Sequence, residues 1–200
     1  MPDVAILDYG SGNLHSVARA VARVGGEPLV TGDPEAVASA DALVIPGVGH
    51  FGQCVRAIRD RGLDAAIRDF AGSGRHVVGV CVGMQILFEM SDEDGEPGLG
   101  MLPGGARRLP GSVKVPHMGW NTVSWRTPHA FVAGIPDDTR FYFVHSYAPD
   151  PSDDTIGVTE HGRAFAAAVA HENVFATQFH PEKSSEAGLQ IYENIVKALT

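Results

Sequence analysis

Short apolar runs alternate with amphipathic stretches along the first half of the chain. The runs VAILDYG, EPLVTG, ALVIPGVG and VVGV are candidates for strands. The stretches that follow them predict four helical segments. These are residues 13–24, DPEAVASA, a segment after ALVIPGVG that ends at Phe70, and VGMQILFEM. Parallel strands joined by helices are apolar on both faces because both faces are covered. The order of elements therefore predicts a three-layer α/β domain with a parallel sheet.

The second half of the chain has a different pattern. Residues 94–111 are rich in glycine and proline and are predicted to be a loop. Strand candidates follow at residues 122–125, 140–147 and 173–179, and a last helix is predicted from Ser184 to Leu199. We therefore expect one domain over residues 1–200, with a mostly parallel central sheet and antiparallel additions in the second half. Ligands in such sheets bind at the carboxyl ends of the strands.

Composition excludes several classes of function. The formal net charge of −9 does not fit nucleic-acid binding, which calls for a basic stripe. No apolar run approaches the roughly 20 residues of a membrane span. Because Cys54 and Cys81 are the only cysteines and MPDVAILDYG has no leader pattern, we expect a soluble protein of the reducing cytoplasm. Small molecules or another protein are the expected partners.

The stretch GVCVG, residues 79–83, places Cys81 where a strand ends and a helix begins. So short a connection predicts a tight, strained turn, and the flanking glycines relieve the crowding. The same strand–turn–helix corner presents the nucleophile of the α/β hydrolases. A helix N-terminus beside the sulfur also favours the thiolate. The alternative is that Cys81 is a small buried hydrophobe.

A base for this thiol is offered by FHPEKS. Proline at position 181 favours an extended backbone at His180, and residues two apart in an extended segment lie on one face. Glu182 can then hold the tautomer of His180 while the other ring nitrogen faces the thiol. A structural or surface role is the alternative for any single histidine. No pair of His or Cys has the close spacing of metal ligands, so no metal site is predicted.

Backbone N–H groups for an oxyanion are predicted in PGVG, residues 46–49, which follows the strand ALVI. The glycines allow the amides of Gly47, Val48 and Gly49 to turn towards a ligand. The N–H of Val82, next to the cysteine, is the second expected donor. An ordinary turn is the alternative interpretation of PGVG.

Oxyanion loop, nucleophile, and base with acid follow one another along the chain. GVCVGMQ with a downstream HPE resembles the class I glutamine amidotransferases, in which a Cys–His–Glu triad hydrolyses glutamine and passes ammonia to a synthase. Six blocks carry a closer resemblance: DYGSGNLHSV (8–17), PGVGHF (46–51), GVCVGMQILFE (79–89), VPHMGWN (115–121), YFVHSYA (142–148) and ATQFHPEKS (176–184). Together they resemble the glutaminase subunits of imidazole glycerol phosphate synthases. This resemblance implies the flavodoxin-like class I glutaminase fold, and it implies no cofactor and no metal.

The resemblance also implies roles for matching residues. Cys81 would attack the glutamine carboxamide, His180 would shuttle the proton to departing ammonia, and Glu182 would orient His180. The expected glutamine-binding residues are Gly47, Val48, Gly49, Val82, Gln85, Glu93, Ser146 and Tyr147, with Glu93 facing the ammonium group. Gln85 could instead be a helix-surface residue, and Glu93 one charge of the acidic SDEDGE loop.

The implied partner is a cyclase subunit with a (β/α)8 barrel, in a heterodimer that channels ammonia. Asn13 in GSGN and Trp120 in HMGWN are expected at that interface, although Trp120 could equally be a core residue. The alternatives are a class I glutaminase serving another synthase, such as that of pyridoxal phosphate, and a γ-glutamyl hydrolase or cysteine peptidase on this fold. A flavodoxin-like binding module with an incidental cysteine is the non-enzymatic alternative.

The two cysteines should differ in reactivity. We expect iodoacetamide to modify Cys81 in preference to Cys54, because Cys54 lies in the helical stretch FGQCVRAIRD with neither a glycine corner nor a paired base. Mass spectrometry of the alkylated peptides measures the preference. Cys54→Ser should accordingly keep nearly full glutaminase activity. Preferential labelling of Cys54 would overturn the assignment of the nucleophile.

Overall fold

The computed structural model describes residues 1–200, and it contains twelve strands, six α-helices and two short 3-10 helices. The strands are β1 (Asp3–Leu7), β2 (Glu27–Thr31), β3 (Ala42–Gly47), β4 (His76–Cys81), β5 (Phe88–Ser91), β6 (Leu102–Arg108), β7 (His117–Trp125), β8 (Thr139–His145), β9 (Tyr147–Pro149), β10 (Thr155–Glu160), β11 (Ala164–His171) and β12 (Val174–Thr177). The helices are α1 (Leu14–Arg23), α2 (Pro34–Ser39), α3 (Phe51–Asp60), α4 (Leu63–Gly72), α5 (Val82–Gln85) and α6 (Ser185–Ala198). The 3-10 helices are Ala130–Val132 and Pro181–Lys183.

Nine strands form one sheet in the order β2-β1-β3-β4-β12-β11-β10-β7-β8. The four pairings from β2 to β12 are parallel, and the four from β12 to β8 are antiparallel. The remaining strands form a smaller sheet in the order β5-β6-β9. The α/β class and the parallel centre with antiparallel additions are confirmed, and the antiparallel part is larger than the sequence pattern indicates.

The helices begin where the sequence predicts. Asp33 caps α2: its side chain accepts a hydrogen bond from the N–H of Glu35 at 3.0 Å, and Pro34 occupies the first helical position. The predicted long helix before residue 70 is two helices, α3 and α4. Gly62 separates them with φ of +68°, a conformation that ends a helix and that glycine adopts without strain.

The helix predicted over VGMQILFEM is wrong beyond its first turn. Only α5 is helical, and the chain then continues as β5. The reason lies in the predicted loop 94–111, which contains β6 and returns alongside this segment. The N–H of Leu99 donates to the Ile86 carbonyl at 2.7 Å, and the N–H of Met101 donates to the Leu87 carbonyl at 2.8 Å. Pairing with a distant segment thus overrides the local helical pattern.

Three further strands, β9, β10 and β11, were not predicted. Ala164–His171 reads AFAAAVAH, in which alanine, a strong helix former, dominates. The segment is a strand because it lies between β10 and β12 in the nine-stranded sheet, where small side chains fit a surface covered on both sides. Its five residues 165–169 are each at most 1% exposed.

One cluster of buried apolar side chains includes residues from Val4 in β1 to Ile195 in α6. None of the helices reaches the length and hydropathy needed to cross a membrane. The backbone is tightly packed at the corner after β4. A Cβ atom at Gly47 would collide with the N atom of Gly83, and one at Gly83 would collide with the carbonyl oxygen of Ile45. Because Gly47 and Gly83 have no Cβ atoms, α5 can lie directly on β3.

Gly83→Ala should lower the free energy of unfolding by about 1–3 kcal/mol, because the methyl group meets a backbone carbonyl that has no room to move. The matched control is Gly72→Ala at the end of α4, where a Cβ atom meets nothing within 4 Å. That control should change stability by at most about 1 kcal/mol, in the stabilising direction. Denaturant unfolding of both variants measures the difference. Equal stability of the two would contradict the packing argument.

Candidate active site

The register of three parallel strands brings the predicted site together. In the pairing of β3 with β4, Gly47 lies opposite Cys81, and in the pairing of β12 with β4, Thr177 lies opposite Val80. The three strands therefore end at the same level. The PGVG loop, the cysteine and the FHPE segment leave the sheet from adjacent positions at its carboxyl edge, where parallel sheets bind ligands.

Cys81 is buried at a strained corner. Its φ is 56° and its ψ is −111°, a conformation that residues with a side chain rarely adopt. The predicted strained turn is thereby confirmed. The helix that follows Cys81 is a single turn of four residues. Its first residue is Val82, whose N–H, like those at the start of every helix, has no partner within the helix.

His180 and Glu182 form the predicted pair. Nδ1 of His180 lies 2.8 Å from Oε1 of Glu182, and both side chains are 1% exposed. The extended geometry expected for this pair is correct at His180 but wrong beyond it, because Glu182 lies in the 3-10 helix Pro181–Lys183. Nε2 of His180 is buried and has no hydrogen-bond partner. This nitrogen is the one available to the cysteine.

Two residues outside the predicted triad hold this pair. Nδ2 of Asn13 donates to Oε1 of Glu182 at 3.2 Å, so Asn13 contacts the triad carboxylate, a contact that the interface expectation did not include. The hydroxyl of Ser184 donates to the carbonyl of His180 at 2.6 Å and accepts from the N–H of Tyr142 at 3.0 Å. Ser184 thus ties His180 to β8.

The electrostatics favour a protonated His180. Burial lowers the pKa of His180, but the neighbouring Cys81 sulfur and the Glu182 carboxylate raise it more, to about 10. The opposite shift occurs at His145, where burial and the neighbouring His117 lower the pKa to about 3. Two histidines at one site are thus set to opposite charge states.

Carbonyl groups of the PGVG loop accept hydrogen bonds from neighbouring side chains. The carbonyl of Val48 accepts hydrogen bonds from Oγ of Ser11 at 2.7 Å and from Sγ of Cys54 at 3.5 Å. The hydroxyl of Tyr9 donates to the carbonyl of Pro46 at 2.7 Å. Cys54 therefore has a structural neighbour in this loop, and a serine in its place could make the same bond. Burial raises the pKa of the Cys54 thiol.

A cavity of about 240 Å³ lies over Cys81 and His180. Seven of the eight predicted glutamine-binding residues line it: Val48, Gly49, Val82, Gln85, Glu93, Ser146 and Tyr147. Gly47 is the exception, because it is buried against Gly83 and Tyr9 at the end of β3. Gly49 has φ of +92°, so the turn of the loop is made at a residue that accepts this conformation freely.

Gln85 and Glu93 are both tied to neighbouring elements. Gln85 is only 2% exposed, so a place on the helix surface is wrong. Its Nε2 donates to the carbonyl of Tyr147 at 2.8 Å. Oε2 of Glu93 accepts from the N–H of Phe51 at 2.7 Å, at the start of α3. Glu93 is therefore a half-buried carboxylate at the cavity wall and not only a charge of an exposed loop.

Sequence reasoning missed two buried polar residues: His145, which lines the cavity, and Gln178, which contacts Gln85 and Cys81 behind the cavity wall. Nδ1 of His145 lies 2.9 Å from the Tyr147 carbonyl, and Nε2 lies 3.0 Å from Nδ1 of His117. Because a carbonyl only accepts, His145 carries its proton on Nδ1 and accepts from His117 on Nε2. The only sequence signal for either residue was its place inside a quoted block, YFVHSYA or ATQFHPEKS.

The expected interface residue Trp120 is 50% exposed on β7, so a place in the core is wrong. Met118, two residues before it on the same face of the strand, is 62% exposed. No group of three His, Cys, Asp or Glu side chains is placed to hold a metal ion.

Solved structures share the whole fold. The structure of PurLQS from Thermotoga maritima superposes with a TM-score of 0.81 at 20% identity, covering 100% of this chain and 99% of that one. The glutaminase domain of Trypanosoma brucei CTPS has a TM-score of 0.71 at 16% identity, covering 100% and 94%. At these identities the likeness shows the fold alone.

Fold and site together define a class of enzyme, and the sequence comparison agrees. The family model described as "Glutamine amidotransferase class-I" matches residues 5–199, and the chain belongs to this family. Two curated relatives carry the name "Imidazole glycerol phosphate synthase subunit HisH". The one from Aromatoleum aromaticum is 48% identical over 98% of both chains, and the one from Moorella thermoacetica is 46% identical over 97% of this chain and 94% of its own. Within the class I family, the chain belongs with these subunits.

His180 should keep its proton across neutral pH and lose it only near pH 10. Because the pKa in the fold is raised above 6.5, the stabilisation from this pair is fully present below pH 6.5 and is lost as pH rises through about 10. Imidazole chemical shifts measured by NMR against pH give the titration. In Glu182→Gln, the pKa of His180 should fall. The internal control is His145, which should stay neutral throughout; titration of His180 in the wild type near 6.5 would contradict the assignment.

Proposed function

We propose that this chain hydrolyses glutamine to glutamate and ammonia through Cys81, His180 and Glu182. We further propose that it delivers the ammonia to a cyclase subunit that makes imidazole glycerol phosphate and aminoimidazole carboxamide ribotide in histidine biosynthesis. The observation that carries the proposal is the state of His180. Its Nδ1 is bonded to the buried Glu182 carboxylate, while its Nε2 is unpartnered beside the cavity that Cys81 lines.

The chemistry follows from the positions of these groups. Nε2 of His180 already holds the proton of the Cys81 thiol, and the sulfur attacks the side-chain carbonyl carbon of glutamine as a thiolate. The tetrahedral intermediate collapses as His180 returns the proton to the leaving nitrogen, which departs as ammonia and leaves a thioester on Cys81. A water molecule, deprotonated by His180, then attacks the thioester. Glutamate leaves, and the sulfur is again a thiolate beside the protonated His180.

Charge on the intermediate falls on the former carbonyl oxygen. The proposed donors are the N–H of Val82, which has no partner within α5, and an N–H of the 47–49 loop; Val82, Val48 and Gly49 all line the cavity. The loop can present an N–H to this oxygen because its backbone is held on the other side. Ser11 and Cys54 donate hydrogen bonds to the carbonyl of Val48. The N–H of Gly49 belongs to the same trans peptide and points away from Ser11.

Glutamine would be recognised by groups that already line the cavity. The half-buried carboxylate of Glu93 offers a negative charge to the α-ammonium group. Main-chain groups of Ser146 and Tyr147 and the side chain of Gln85 complete the wall. The cavity of about 240 Å³ suits one small amino acid and excludes a folded polypeptide.

The proposed partner is a cyclase subunit with a (β/α)8 barrel, in a heterodimer. Two observations support a partner. The curated relatives are named as subunits of a synthase. Trp120 and Met118 are large apolar side chains exposed side by side on β7, and aromatic residues and methionine are enriched at protein interfaces. Asn13 would join this interface from the loop that also contacts Glu182.

We also propose that residues 1–200 act as a single glutamine amidotransferase domain in the cytoplasm. One core cluster reaches from β1 to α6, which supports the single domain. A reducing compartment suits the mechanism because both cysteines are unpaired.

Cys81→Ser should abolish glutamine-dependent synthesis by the complex with the cyclase, whereas synthesis from added ammonia should stay intact. The reason is that Cys81 serves only the release of ammonia. Product formation from glutamine and from an ammonium salt, measured side by side, gives the two activities. Cys54→Ser is the matched control and should keep both. Loss of both activities in Cys81→Ser, with the complex still assembled, would show that the division of labour is wrong.

A further inference from the structure

We propose that Gln178, which lies outside the triad, is a positioning residue that turns the oxygen of Gln85 towards the glutamine cavity and supports negative charge on the Cys81 sulfur. This inference rests on the proposed glutaminase function and deepens it. Gln178 is fully buried, and its side-chain amide lies between the nucleophile and a residue of the cavity wall.

The orientation of Gln85 is decided by the carbonyl of Tyr147. Because that oxygen can only accept, the side-chain atom of Gln85 that lies 2.8 Å from it must be the nitrogen. The same Nε2 lies 3.0 Å from Oε1 of Gln178. Both hydrogens of the Gln85 amide are therefore used inside the protein.

The oxygen of Gln85 is left for a ligand. Oε1 makes no hydrogen bond with any protein group, although Gln85 is buried and lines the cavity. It can only accept, so it favours an N–H of the ligand. Glutamine offers N–H groups to such an acceptor, whereas the new carboxylate of glutamate offers only oxygens. A fixed Gln85 oxygen therefore favours the substrate over the product.

Gln178 is in turn oriented by Gln85. Since Oε1 of Gln178 accepts from Gln85, its Nε2 must be the atom that lies 3.8 Å from Sγ of Cys81. Apart from the ring of His180, this amide is the donor that faces the sulfur. The other contact of the sulfur is the carbonyl of Val144, also at 3.8 Å, which can accept from the thiol but repels a thiolate. Removing the Gln178 amide leaves that repulsion opposed by His180 alone.

The strand register explains why Gln178 reaches this position. Thr177 lies opposite Val80 in the β12–β4 pairing, so the next residues, Gln178 and Cys81, are neighbours. The N–H of Gln178 also donates to the carbonyl of Ala167 at 2.8 Å, which fixes the backbone. A buried amide in this place is satisfied only by the partners named above.

The test compares two substitutions in the complex with the cyclase subunit. Gln178→Met keeps the volume and removes both hydrogen bonds. Gln178→Glu keeps an acceptor for Gln85 but turns a carboxylate oxygen towards Cys81. Gln190→Met is the matched control, because Gln190 lies on α6 and bonds only to Asn194. Thermal unfolding midpoints are measured first, and each protein is assayed below its own transition.

For Gln178→Met we expect kcat/KM for glutamine to fall about 10-fold to 100-fold, the range for buried partners left unpaired, with a raised KM and a lowered kcat. Alkylation of Cys81 by iodoacetamide should slow in the same variant. Gln178→Glu should keep KM within about threefold of the wild type while kcat and the alkylation rate fall further. Ammonia-dependent synthesis should be unchanged in both variants, and Gln190→Met should match the wild type throughout.

The inference fails if Gln178→Met keeps both kcat/KM and the alkylation rate within about twofold of the wild type. It also fails if Gln178→Glu raises KM as much as Gln178→Met does, because Gln178 would then only occupy volume in the core and would not orient Gln85. The wild type separates these results from failure of the proposed function. A wild-type complex that does not hydrolyse glutamine, or whose activity survives in Cys81→Ser, contradicts the glutaminase itself.

Discussion

The constraint on which the site depends is the parallel register of β4 between β3 and β12. Gly47 lies opposite Cys81 and Thr177 opposite Val80, so three strands deliver their loops to one level of the sheet. A shift by one residue would turn every side chain of β4 to the other face. Cys81, the PGVG loop and His180 would then no longer meet, although each local sequence would be unchanged. The buried apolar strands fix this register because both faces of the sheet are covered.

Close backbone packing and strain are concentrated at the corner that this register creates. Cys81 has positive φ, and the glycines on either side of the corner allow α5 to lie against the end of β3. Such a conformation costs of the order of 1–3 kcal/mol and persists because the surrounding core determines it. This strained conformation places the thiol of Cys81 at the cavity. A thiol on a relaxed strand would lie flat against a neighbouring layer, whereas here it lines the cavity.

The polar groups around the thiol form two chains that meet at the carbonyl of Tyr147. One runs from that carbonyl through Gln85 and Gln178 to Cys81, and the other runs through His145 and His117. Because the carbonyl can only accept, it fixes the direction of every bond in both chains. Buried hydrogen bonds of this kind hold the groups that make them rigidly in place. Against this background, the free Nε2 of His180 identifies the group that is kept for the reaction.

The sequence alone determined the parallel half of the fold, the strained corner and the members of the proposed triad. Each of these depends on a pattern of a few neighbouring residues. Alternating strands and helices, GVCVG and HPE are all local patterns. Tertiary structure alone decided the rest. Phe88–Ser91 is a strand only because β6 returns beside it, and the alanine-rich β11 is a strand only because it lies between β10 and β12. Asn13, Ser184 and Gln178 gained their contacts in the same way, since their partners are 169, 42 and 97 residues away. Local spacing cannot encode such pairs; they exist only once the core has closed and placed distant segments against each other.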